Sequence, residues 1–141
     1  MGYSHYWRIE NDIDIHSFRK IQKQAAIFCM ESGAAVNFEI VSNGDKTAFA
    51  PSIKIEGIGN DGHEAFFLNS KAVKFDCCKT NEKAYDEIVV AVLMYAAHFG
   101  LEWWSDGNDW NHIAGRVIYN CSGLPPVYNC SKRFEENSNE S

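Results

Sequence analysis

Two groups of residues in this chain have side chains suited to chemistry. The first is Asp61, His63 and Glu64, joined by Asp106, Asp109 and His112. Imidazole and carboxylates are the ligands that hold a divalent ion and let it activate water. Their spacing fits no metal motif, however, and turns collect Asp for capping reasons alone. The second group is aromatic. Tyr3, Tyr6, Trp7, Trp103, Trp104 and Trp110 cluster toward the two ends of the sequence, beside polar loops. Such rings are ordinarily core or interface residues. They also serve as stacking platforms for flat bases, worth ~1–3 kcal/mol per base. Lys79 and Thr80 bring a cation and a hydroxyl to the expected start of a helix, whose free N–H groups suit a phosphate.

Other motifs resolve against chemistry. Gly57, Gly59 and Gly62 match G-x-G-x-x-G, but a dinucleotide fingerprint must open a helix, and here His63 to Leu68 reads as a strand. What remains is a glycine-rich connection that either closes a hairpin or offers its N–H groups to an anion. No Ser-His-Asp or Cys-His nucleophile grouping can be assembled from sequence order. Cys29, Cys77, Cys78, Cys121 and Cys130 are odd in number and contain no CxxC pair, which predicts reduced thiols. Cys77 and Cys78, as strand neighbours, point to opposite faces and cannot easily share a metal. His98 reads as a packed or surface residue, and Arg8 and Arg116 are cations that the sequence does not place. No metal and no cofactor is expected.

The elements that must position these residues follow from periodicity. Tyr3 to Ile9 reads as a strand with Tyr3, His5 and Trp7 on one face and Ser4, Tyr6 and Arg8 on the other. Asp12 or Asp14 caps a helix over about Ile15 to Ser32, which Gly33 stops. Val36 to Val41 and Thr47 to Ala50 form strands about an Asn43-Gly44 turn. Further strands are predicted at Ser52–Glu56, Ala65–Leu68, Val73–Cys77 and Leu101–Trp104. A second helix, capped by Thr80 or Asn81 with Glu82 in its first turn, carries an apolar stripe from Tyr85 to Phe99 and ends at Gly100. Ser105 to Asp109 is a turn, and Trp110 to Tyr119 a short helix or irregular segment. Strands and helices mix without βαβ alternation. The expected class is α+β, a mostly antiparallel sheet with two main amphipathic helices packed on it.

Composition sets the outer limits. The 141 residues are 45% hydrophobic, 13% aromatic and 23% charged, enough for one domain with a real core. That domain is expected over 1–131, with a frayed polar tail over 132–141. Thirteen Lys and Arg against nineteen Asp and Glu give a net charge of −6, which disfavours coating DNA or RNA. A small anion held by two or three cations remains compatible. No apolar run approaches the ~20 residues of a membrane span, and the N-terminus has no secretory h-region. The expected location is cytoplasmic, without membrane partners.

Met1-Gly2-Tyr3-Ser4-His5-Tyr6-Trp7 resembles the "MGYTHYW" opening of a family of small proteins widespread in phages and prophages. The resemblance continues through Gly57 to Phe66, Cys78-Lys79-Thr80 with Tyr85-Asp86, and Ser105-Asp106-Gly107 before Trp110. Ser4 stands where the family has Thr. Asn81 to Ala84 stands where the family carries basic residues and a Pro, which weakens the phosphate-binding character of that stretch.

Small phage proteins of this kind include sponges that sequester the cyclic oligonucleotide signals of bacterial immunity. The resemblance therefore implies a viral anti-defence protein, in the cytoplasm of the bacterial host, that binds a cyclic di- or trinucleotide without cleaving it. On that reading it is not an enzyme, and a homodimer or larger homo-oligomer is expected. The implied ligand residues are Tyr3, His5 and Trp7 on one strand face, and Asn60, His63 and Glu64 at base edges. Lys79 and Thr80 would hold phosphate, with Asp106 and Trp110 closing the pocket. Two rival readings stand beside it. One is a metal-dependent phosphodiesterase using Asp61, His63, Glu64 and Asp106. The other is a protein–protein inhibitor of a host defence protein, with the aromatics as anchors.

Overall fold

A computed structural model describes residues 3–41, 50–106 and 113–124, the side chain of Asp61 excepted. The first aromatic segment forms β1 (Ser4–Ile9), with His5, Trp7 and Ile9 buried and Ser4, Tyr6 and Arg8 on the opposite face. Asp14 then accepts a hydrogen bond from the Ser17 N–H at 3.1 Å and caps α1 (Ile15–Glu31). Phe18, Ile21, Ala25 and Phe28 recur at helical spacing and bury one side of it. Ser32, in extended conformation, ends the helix one residue before the expected glycine stop.

Among the described residues two antiparallel sheets of three strands follow, where the sequence suggested one. The first contains β2 (Val36–Val41), β3 (Ser52–Gly57) and β4 (Phe66–Asn69), in that order. Ile55 sits opposite Phe38 on one side and Phe66 on the other, so a single apolar row crosses all three strands. The second sheet has β1 in the centre, between β5 (Val73–Lys79) and β6 (Leu101–Ser105). Tyr6 there lies opposite both Cys77 and Trp104. An edge-to-face contact between Trp7 and Phe66, with ring centroids 5.2 Å apart, joins the inner faces of the two sheets in one core. The Asn43-Gly44 turn and the strand expected over 47–50 fall outside the described residues, apart from Ala50.

The second helix is α2 (Asp86–Ala96), and it begins later than its sequence predicts. Asn81 and Glu82 both take positive φ (54° and 57°), and the Lys83 N–H donates to the Thr80 carbonyl at 3.1 Å. That is a tight turn of the I′ kind, which Asn favours at its first central position. Thr80 is thereby turned inward instead of capping the helix. The N-terminal charge comes from Asp86 and Glu87, which complement the helix dipole. The stripe residues from Tyr85 to Ala96 are buried as expected, and Val90, Ala91 and Met94 are buried as well, so α2 is enclosed on nearly every side. Gly100, at φ 104°, closes this segment as expected. The chain re-enters the described region as α3 (Ile113–Cys121), a third helix. The α+β class holds. Among the described residues no helix is long and apolar enough to cross a membrane.

Two contacts fix the helices. Buried Gln22 on α1 donates its side-chain amide to the carbonyls of Val41 and Ser52, each at 3.0 Å, tying the helix to the end pair of β2 and β3. Gly115 on α3 lies against α2 so closely that an added Cβ would sit 2.5 Å from Val90 Cγ1 and 3.1 Å from the Glu87 carbonyl oxygen. Gly115→Ala is therefore expected to destabilise the fold by about 1–3 kcal/mol, the usual penalty for overpacking. A urea midpoint equal to wild type would show that the two helices separate at no cost.

Candidate functional site

Among the described residues polar chemistry is concentrated in two places, one inside the protein and one on its surface. The inner one lies between the second sheet and the start of α2. His5 and Thr80 are completely buried and both address Asp86, with His5 Nε2 and Thr80 Oγ1 each 2.5 Å from the same carboxylate oxygen, Oδ1. A carboxylate only accepts, so the contact assigns the proton to His5 Nε2. Tyr3 packs edge-to-face on the His5 ring, with centroids 5.2 Å apart. Burial, and then the Asp86 carboxylate, push the Tyr3 phenol well above its ordinary range. A His, an Asp and a hydroxyl are thus assembled, but not as a nucleophile triad. Hydroxyl and imidazole converge on one carboxylate oxygen, whereas a triad requires the imidazole between the other two.

The loop before β4 reinforces this corner. Glu64 accepts the Lys79 N–H on Oε1 at 2.8 Å, and its carbonyl accepts the Tyr85 hydroxyl at 2.5 Å. Cys78 lies beneath, its thiol pushed up to about 12 chiefly by burial. Cys77 points outward, so the two neighbours do face opposite ways.

The surface site is the outer face of the second sheet. Tyr6 from β1, Phe75 from β5 and Trp104 from β6 form a compact three-ring cluster. Centroids are 5.8 Å apart for Tyr6–Phe75, 6.0 Å for Tyr6–Trp104 and 6.4 Å for Phe75–Trp104. Phe75 is 57% exposed despite its size. At one end Asp106 accepts the Tyr6 hydroxyl on Oδ1 at 3.0 Å and the Ser4 N–H on Oδ2 at 3.1 Å. Desolvation and this hydrogen bond raise the Tyr6 phenol, keeping it a donor at neutral pH. At the other end Arg8 donates to Glu102 Oε2 through Nε and Nη2, at 2.7 and 2.6 Å. Beyond Arg8, where the β1–β5 register slips, a groove of about 670 Å³ opens between Arg8, Ile9, Glu10, Ala72, Val73 and Lys74. Its size is that of a small-molecule site.

The residues expected to bind ligand therefore separate. Tyr3, His5 and Trp7 share a face, as predicted, but it is the face buried in the core, and Thr80 is buried with them. This corrects the expectation that they present an open ligand surface: Ile9 has the same strand parity, and burying that apolar side takes its neighbours inside. Lys79 is half-buried and registers with Ser4 on the outward side of the sheet. Glu64 is spent on the β5 backbone, while Asn60 and His63 stand exposed on the loop. Asp106 belongs to the outer site. Trp110, with Asp109 and His112, lies outside the described residues. Among the described residues no three His, Cys, Asp or Glu side chains gather to hold a metal. His98 meets the Tyr119 hydroxyl at 2.7 Å, a packed surface residue as expected. Sequence reasoning missed Phe75 altogether, and it missed Asp86 as the centre of the buried network. The signal available for the outer cluster was parity, since Glu102 and Trp104 alternate with the buried Leu101 and Trp103. The chain matches no family model, and no curated protein or solved structure is similar to it.

Proposed function

We propose that the protein binds and sequesters a small cyclic nucleotide signal without cleaving it, through the outer face of the second sheet. The observation that carries this reading is the Tyr6–Phe75–Trp104 cluster, exposed on a sheet face with Arg8 beside it and a groove of nucleotide size adjoining. Every base has a π-face, so exposed rings capture bases whatever their sequence context. A few cations suffice for one or two phosphates, which suits a chain of net charge −6. The resemblance read from the sequence blocks is compatible with this role.

A thermal-shift panel of cyclic di- and trinucleotides tests it. A ligand that binds only the folded state raises the melting temperature, by about 2.7 kcal/mol of stabilisation at a hundredfold excess over Kd. Intact nucleotide recovered after heat denaturation, with or without Mg²⁺ or Mn²⁺, is the expected result. A cleaved product would replace sequestration with hydrolysis. No shift with any nucleotide, together with a host protein retained on the Phe75 surface, would replace it with a protein-inhibitor role.

A further inference from the structure

We infer that the outer site selects guanine, with Asp106 reading the base edge and Arg8 taking the phosphate; this rests on the nucleotide-binding reading above. Asp106 and Arg8 flank the ring cluster at opposite ends of β1. Asp106 sits at the level of Ser4, and the rise to Arg8 is about 13 Å at the usual strand spacing. One nucleotide laid along the strand would set its base on the rings and reach a charged group at each end.

The signs of those charges decide the base. Each Asp106 oxygen already accepts one hydrogen bond, from Tyr6 or Ser4, which fixes the carboxylate in place. Each oxygen retains a second lone pair. A carboxylate held this way accepts two parallel N–H donors. Guanine alone among the common bases offers two adjacent ones, N1–H and the 2-amino group. Adenine and cytosine place a ring-nitrogen lone pair beside their amino group, which the carboxylate repels, and uracil flanks its single N–H with carbonyl oxygens. At the other end, two of the five Arg8 N–H donors go to Glu102, and the side chain is 53% exposed. The remaining donors match a phosphate, with Lys74 on the rim of the adjoining groove.

Titration of the full chain with cyclic di-GMP, cyclic di-AMP and the hypoxanthine analogue, followed calorimetrically, tests this. The expected order is guanine, then hypoxanthine, then adenine, with guanine over adenine by about 10-fold or more, as a bidentate base contact supplies. Hypoxanthine keeps N1–H and lacks the amino group, so it should fall between. Asp106→Asn should bring guanine and adenine within about 3-fold of each other, because its amide replaces one acceptor by a donor. Arg8→Gln should weaken the nucleotides while leaving guanosine unchanged. Equal or tighter binding of the adenine ligand by wild type would overturn guanine selection and leave the stacking site standing. So would full discrimination retained in Asp106→Asn. Binding of none of the three would remove the site and its specificity together. The wild-type series needs no variant to fold.

Discussion

Asp86→Ala is expected to lower stability by about 2–6 kcal/mol, the cost of leaving two buried donors without their acceptor. The carboxylate is the shared acceptor for two donors that are themselves wholly buried, His5 Nε2–H and Thr80 Oγ1–H. Its removal leaves both facing a cavity, and each buried donor deprived of its acceptor costs about 1–3 kcal/mol. The helix dipole at the start of α2 also loses a partner there. Domains of this size have about 5–15 kcal/mol to lose, so the variant should sit near the edge of folding. Asp86→Asn keeps an oxygen in place and should cost clearly less. Urea denaturation of wild type and both variants reads the series directly. An Asp86→Ala midpoint within experimental error of wild type would mean the three groups rearrange freely, and the network would then not be what holds β1 against α2. A double-mutant cycle with Thr80→Val would apportion the effect, since residues sharing one acceptor are not additive.

Legibility in the sequence followed the range of the interactions. Elements governed by neighbours could be read: the Asp14 cap, the Phe18–Phe28 face of α1, the left-handed Gly100 and the alternation of β1 all appear as predicted. The start of α2 could not. Thr80 and Asn81 look like caps locally, but Thr80 is drawn inward by Asp86, and a helix cannot begin at Asn81 and Glu82 while both hold positive φ. That choice is settled by His5, 81 residues away from Asp86, and no local pattern records it. The site divides on the same ground. Strand geometry sorted β1 into two faces, but which one meets the core depends on the company it keeps across the sheet. Cys78, Trp103 and Leu101 lie on the Trp7 side, so the side bearing Tyr6 was left facing outward. Phe75 shares the face of Cys77, which lies opposite Tyr6, and that pairing joins segments some seventy residues apart.

This division makes tryptophan substitutions at neighbouring strand positions behave oppositely. Trp103 and Trp104 are adjacent in sequence, and Trp7 pairs with Trp103 across the sheet as Tyr6 pairs with Trp104. Trp7 is 1% exposed and packed against Phe66, so Trp7→Ala should cost about 3–5 kcal/mol of stability, the range for deleting a large buried side chain. Whatever binding it loses should scale with the fraction unfolded. Trp104→Ala removes a ring from the half-exposed outer cluster and should change stability by no more than about 1 kcal/mol. Its effect should fall on the ligand instead, with affinity for a cyclic nucleotide weakened at least ~10-fold by the loss of one stacking surface. Phe75→Ala should act likewise, since more than half of that ring meets solvent. Chemical denaturation and calorimetric titration on the same three variants separate the two effects. If Trp104→Ala and Phe75→Ala retain wild-type affinity in a folded protein, the rings of this face do not carry nucleotide binding. If Trp7→Ala loses affinity while remaining fully folded, the bases reach the inner side of β1, and the outer face is the wrong surface.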